Sequence, residues 1–187
     1  MRVYIEEIGK YEGKEVEIKG WLYNKRSSGK VRFLLIRDGT GIIQSVISEG
    51  DARPEIFAVA DKITQESSVI IKGYVRQDKR APGGYEIVAT GLKIIQLVED
   101  YPITPKEHSV EFLLPIRHLW IRSKKQNAIL RVRHTVIKAI RDFLDNQGFI
   151  NADTPILTPA SVEGTTTLFP VDYYGETVYL TQSGQLY

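Results

Sequence analysis

From Glu15 to Tyr23 polar and apolar residues alternate, the period of a half-buried strand. Val31 to Asp38 and Gly41 to Ile47 are two further apolar-rich runs, and Asp38-Gly39-Thr40-Gly41 between them is a tight hairpin signal. Pro54 to Ala60 reads as a short helix with proline near its first turn. Val69 to Arg76 and Tyr85 to Leu97 predict a fourth and a fifth strand, joined by the turn-rich stretch Gln77 to Gly84. The period then changes. Residues 98–119 are interrupted by Pro102, Pro105 and Pro115 and sustain no period, as a linker would. Ile129, Val132, Val136, Ile140 and Phe143, joined by Leu144, mark one face of an amphipathic helix from about Ser123 to Gln147, with Gly148 as its stop. An extended segment follows from Phe149 to Ile156. Leu168 to Tyr173 and Thr177 to Thr181 then form a hairpin around Tyr174-Gly175-Glu176.

Five strands with a helix between the third and fourth is the order of an OB-fold barrel. An antiparallel sandwich is the alternative; the strand count and the helix position favour the barrel. Helix, strand and hairpin in that order predict the start of an α+β domain, an antiparallel sheet with helices. The expected organisation is an all-β OB-fold barrel over residues 1–100, a linker or hinge over 101–120, and the opening of the second domain over 121–187. Composition agrees with a packed protein: 42% of residues are hydrophobic and 26% charged. The absence of cysteine excludes disulfides, thiolate zinc sites and thiol catalysis, and suits a cytoplasmic protein. His108, His118 and His134 show no metal-ligand spacing, so no metal site is expected. No run approaches the ~20 apolar residues of a membrane span, and the N-terminus has no signal-peptide pattern.

A net charge of +2 says little about partners, but its distribution says more. Lys25, Arg26, Lys30, Arg32 and Arg37 are five cations with no acid among them, and Arg117 to Arg141 holds eight more, again without an acid. Solvated faces with anionic partners elsewhere in the sequence are the plain reading, more plausible for the second run than for the first. OB barrels commonly bind single-stranded nucleic acid through a basic groove and aromatic platforms. The candidates are Arg26 at the end of the first strand, Phe33 on the second and Gln44 on the third. Phenylalanine stacks on a base, glutamine offers a donor and an acceptor to a base edge, and arginine clamps a phosphate or stacks. Phe33 could equally be a core residue beside Leu34, Leu35 and Ile36, although alternation lets it point the other way. The fold alone hosts many ligands.

Arg26, Phe33 and Gln44 match in type and spacing the anticodon-reading residues of the class IIb aminoacyl-tRNA synthetases, which charge tRNA with Asp, Asn or Lys. The stretch Phe33 to Gly41 is similar to the Asp and Asn members, and so is the loop Lys79-Arg80-Ala81-Pro82-Gly83-Gly84. The resemblance implies that Phe33 stacks on the central anticodon base, a uridine, that Gln44 bonds its edge, and that Lys79 and Arg80 approach the anticodon stem-loop. Phe143 to Pro155 resembles class II motif 1, which implies a dimer-interface role for Pro155. Val162 to Thr165 resembles the loop over the amino-acid pocket, with Glu163 pairing the substrate ammonium. Tyr179 to Tyr187 resembles the segment before motif 2, with Gln185 contacting the amino acid and Ser183 close by.

Ser183-Gly184-Gln185-Leu186-Tyr187 is the asparaginyl form; aspartyl members usually carry proline at the Gly184 position. The resemblance therefore implies ATP- and Mg²⁺-dependent activation of asparagine and its transfer to tRNA-Asn, by a homodimer. Motifs 2 and 3, with their ATP-binding arginines, are not in the 187 residues. The chain alone is therefore expected to be inactive: a fragment, an interrupted gene or one piece of a split enzyme. The alternatives are a non-catalytic tRNA-binding module, an aspartyl-tRNA synthetase relative, or an amino-acid-binding paralogue. The last kind generally lacks the barrel.

Overall fold

A computed structural model describes residues 1–50, 54–159 and 168–184. They fall into two compact units, Met1–Ile116 and Arg117–Tyr187.

The first unit opens with a 3-10 helix, Ile5–Tyr11, whose Ile5 and Ile8 are buried. The sequence pattern had not pointed to it. Asp38 anchors it by accepting the Ile5 N–H at 3.0 Å, while its other oxygen accepts from the N–H groups of Thr40 and Gly41. Five strands follow: β1 (Glu15–Ser28), β2 (Val31–Arg37), β3 (Ile42–Ser48), β4 (Ser68–Gln77) and β5 (Tyr85–Gln96), with helix α1 (Pro54–Lys62) between β3 and β4. They close into a barrel in the order β1-β2-β3-β5-β4. This is the expected OB fold. β1 serves two neighbours: Glu15–Trp21 pair with β4 and Trp21–Ser28 with β2. The ring closes where Gln44–Val46 run parallel to Glu86–Val88. Inside lie Ile18, Leu22, Leu34, Ile36, Ile43, Ile47, Ile71 and Ile87, each essentially inaccessible to solvent. Burying one such side chain contributes about 1.5–3 kcal/mol.

One irregularity in β1 decides which residues reach the surface. The pairing with β2 skips Tyr23: Leu22 lies opposite Ile36, and Asn24 opposite Leu35. Val16, Ile18, Gly20 and Leu22 face the interior, so an unbroken period of two would send Asn24 and Arg26 inward as well. The extra residue inverts the phase. After it, Asn24 and Arg26 share the outer face with Leu35 and Phe33, and Lys25 takes the inner phase opposite the buried Leu34.

The stretch read as a linker contains two one-turn helices, α2 (Val110–Leu113) in the first unit and α3 (Arg117–Trp120) in the second. Ser109 caps α2 by accepting the Phe112 N–H at 3.3 Å. The amphipathic helix is α4 (Lys124–Asn146), with Ser123 as N-cap and Gly148 just beyond its end at φ 84°. None of its residues is buried. Three short strands, β6 (Leu157–Thr158), β7 (Pro170–Tyr173) and β8 (Glu176–Leu180), form an antiparallel sheet in the order β6-β8-β7. Tyr174 and Gly175 both have positive φ (54° and 88°), as the tight β7–β8 turn requires.

Candidate nucleic-acid interface

The outer face of β1–β3 carries a shallow pocket lined by Asn24, Lys25, Arg26, Phe33, Leu35 and Gln44. Leu34 and Ile36 turn into the core, which leaves Phe33 and Leu35 as the outward pair of β2. Arg26 stands directly across from Phe33. Its guanidinium carbon lies 4.3 Å from the ring centroid, a cation–π pair formed in the protein itself.

Gln44 lies next to Leu35 on one side and Glu86 on the other. Its Nε2 donates to Glu86 Oε2 at 2.9 Å. Glu86 is only 2% exposed, and its second oxygen accepts from the guanidinium of Arg76. A carboxylate can only accept, so this bond fixes the amide: its NH₂ group points to Glu86 and its carbonyl is left for a ligand. The sequence pattern did not single out Glu86 or Arg76. Either reads as the ordinary outward polar member of a strand, and only the parallel β3–β5 closure brings Glu86 beside Gln44.

The five-cation run is less free than its sequence suggested. Lys25 Nζ donates to the Asp61 carbonyl at 2.6 Å, at the C-terminal end of α1. Burial there holds its pKa below the ordinary lysine value, with Asp61 acting against the shift. Arg32 pairs with the Asp61 carboxylate at 2.5 Å and lies 4.2 Å from the Phe57 ring centroid. Lys30 pairs with Glu49 and Arg37 with Glu66. Among the described residues Arg26 alone of the five bonds no carbonyl or carboxylate, and it is the one on Phe33. The plain reading, anionic partners supplied from elsewhere in the sequence, therefore holds for Lys30, Arg32 and Arg37, while Lys25 is held by a backbone carbonyl.

Lys79 and Arg80 occupy the β4–β5 loop, outside the pocket lining. Both are exposed. Arg80 bonds the side chain of its neighbour Asp78, which holds the Asp78 carboxyl below the ordinary carboxylate range. The loop ends in a 3-10 turn, Pro82–Gly84, that packs near β3.

In the second unit Pro155 is exposed. The Thr181 N–H donates to the Ile156 carbonyl at 2.9 Å, so the segment of Ser183 runs beside the chain that follows Pro155. Gly184 lies so close to Thr154 that an added Cβ would stand 2.7 Å from its methyl group. The Ser183 carbonyl accepts from Thr181 Oγ1 at 2.7 Å. Glu163 and Gln185 lie outside the described residues.

Fold and pocket define an OB-fold barrel with an outward aromatic and cationic pocket, followed by the opening of a second domain, and the known families divide the chain in the same way. The family described as OB-fold nucleic acid binding domain matches residues 16–95, and the class II tRNA synthetases (D, K and N) match residues 109–187. Within that class the chain is similar to asparaginyl-tRNA synthetases and matches the N-terminal part of their length. It is 55% identical over 186 residues to the asparagine–tRNA ligase of Pelotomaculum thermopropionicum, covering 100% of this chain and 43% of that one. The Thermus thermophilus enzyme is 47% identical over 189 residues, again across 100% of this chain and 43% of the relative. The crystal structure of asparaginyl-tRNA synthetase from Pyrococcus horikoshii complexed with asparaginyl-adenylate superposes with a TM-score of 0.90 at 43% identity, over 100% of this chain and 44% of that one. The chain thus spans less than half the length of these relatives.

Proposed function

We propose that the barrel holds the anticodon loop of tRNA-Asn for an asparagine–tRNA ligase, which activates asparagine with ATP and transfers it to that tRNA in the cytoplasm. The observation that carries this reading is the outward Arg26–Phe33 pair beside Gln44, whose amide Glu86 holds in one orientation. A base stacks on Phe33, the Gln44 carbonyl accepts an N–H from the base edge, and Arg26 binds phosphate or extends the stack. Lys79 and Arg80 meet the stem-loop backbone as exposed cations. Glu163, Ser183 and Gln185 contribute to the asparagine pocket, and Pro155 belongs to the interface of a homodimer.

ATP and Mg²⁺ are held, in this reading, by the part of the whole enzyme beyond these 187 residues. Among the described residues no three His, Asp or Glu side chains gather around a common point. No helix among them is long and apolar enough to cross a membrane.

Stacking on an aromatic platform is worth about 1–3 kcal/mol per base. Phe33→Ala should therefore weaken binding of an anticodon stem-loop RNA by that amount in a fluorescence titration, at fixed salt because phosphate contacts are salt-dependent. Unchanged affinity would remove Phe33 from the interface and with it the proposed reading.

A further inference from the structure

Asn24 lines the same pocket as Arg26, Phe33 and Gln44. The skipped residue in β1 brings it there, across from Leu35. Its Oδ1 accepts the backbone N–H of Lys25 at 2.8 Å. Only a carbonyl oxygen can accept from that donor, so the amide orientation is settled and the two N–H bonds of Nδ2 remain for a ligand. Gln44 is settled in the opposite sense, with its NH₂ group on Glu86 and its carbonyl free. β2 separates the two residues, and neighbouring strands lie ~4.8 Å apart, so the amides flank the Phe33–Leu35 floor at about 10 Å backbone to backbone. One wall of the pocket thus presents a donor and the other an acceptor, each held by a bond within the protein.

We propose that Asn24 is a second base-reading residue, paired with Gln44 and specific for a uracil ring lying on Phe33. The proposal rests on the anticodon-binding reading above and names one more contact within it. Uracil offers N3–H flanked by two carbonyl oxygens. Gln44 accepts N3–H, and Asn24 donates to O2 or O4. Cytosine held in the register that uracil takes would turn the lone pair of N3 to the Gln44 carbonyl, with no proton between them.

The test uses the whole 187-residue chain and anticodon stem-loop RNAs carrying uridine, 2-thiouridine, 4-thiouridine or cytidine at the central anticodon position. Sulfur is a poor hydrogen-bond acceptor. One thio substitution should weaken wild-type binding about 3- to 10-fold, the range of one lost hydrogen bond. Asn24→Ala should bind the uridine loop more weakly by a similar factor and be indifferent to that same substitution. Asn24→Asp keeps the oxygen that accepts from Lys25 but has no N–H. It should lose the same sensitivity, which separates base reading from support of the strand irregularity. Circular dichroism spectra matching wild type establish that both variants fold. Full thio sensitivity retained in both variants, or an equal loss against all four RNAs, would overturn the assignment. Wild-type protein that binds none of the loops, or binds uridine and cytidine loops alike, would instead overturn the anticodon reading on which it rests.

Discussion

Gln44 and Glu86 act as one unit in this structure. Gln44 Nε2 has a carboxylate to bond, and that carboxylate is steadied on its other side by Arg76. Removing Glu86 frees the Gln44 amide to turn, and it then presents N–H and C=O to a ligand with no preference. Glu86→Ala is therefore expected to weaken stem-loop binding much as Gln44→Ala does. The double variant should be little worse than either single one, a coupling of about 0.5–3 kcal/mol in a double-mutant cycle. Strictly additive losses would show the two residues to be independent. Arg26, Phe33 and Gln44 were legible in the sequence because an arginine, an aromatic and an amide at strand spacings already resemble a nucleic-acid platform. Glu86 was not, since its partner lies 42 residues away and is reached only through barrel closure. Asn24 was hidden by the inverted phase.

At the level of elements, the hairpin of β1 and β2 is fastened to the C-terminal end of α1 at two points. Lys25 bonds the Asp61 carbonyl, and Arg32 bonds its carboxylate. The Arg32 bond holds the Asp61 carboxyl below the ordinary carboxylate range. A folded-state pKa below the unfolded one stabilises the fold above the unfolded value, near 3.9, and the contribution is lost as pH falls through the folded value. Wild-type protein should accordingly melt above Asp61→Asn at pH 7, and the gap should shrink as pH falls below about 4, followed by circular dichroism. A gap constant from pH 7 to pH 3 would exclude the ionised pair as its source. All five strands, α1 and α4 were readable from period and turn residues, with ends shifted by only a residue or two in most cases. β1 is the exception: it runs on to Ser28, five residues past the point where its alternation ends. A strand irregularity breaks the period without ending the strand, so pattern alone cannot tell the two apart. The 3-10 helix Ile5–Tyr11 escaped notice for a related reason: seven residues tied down by Asp38 need little periodicity of their own.

Across the molecule the two units differ in how far each meets its own packing needs. The first has a continuous buried core from Val3 to Ala89. In the second, α4 exposes Ile129, Val132, Val136, Ile140 and Phe143, each by 47% or more. The aminoacylation chemistry is proposed for the whole enzyme, and so is the placing of its ATP-binding arginines beyond these 187 residues. ATP–pyrophosphate exchange with asparagine should therefore be undetectable for the 187 residues under conditions in which they bind a stem-loop. Measurable exchange would place the ATP site within this chain. The asymmetry between the units also has a consequence for biosynthesis. Domains are made N-terminus first, at about 5–20 residues per second, and the barrel needs nothing from residues after 116 to bury its core. A nascent chain that has emerged past α4 would carry a barrel with its core already closed and, behind it, a helix whose apolar side is still exposed. In that interval a chaperone would have reason to engage α4 and none to engage the barrel.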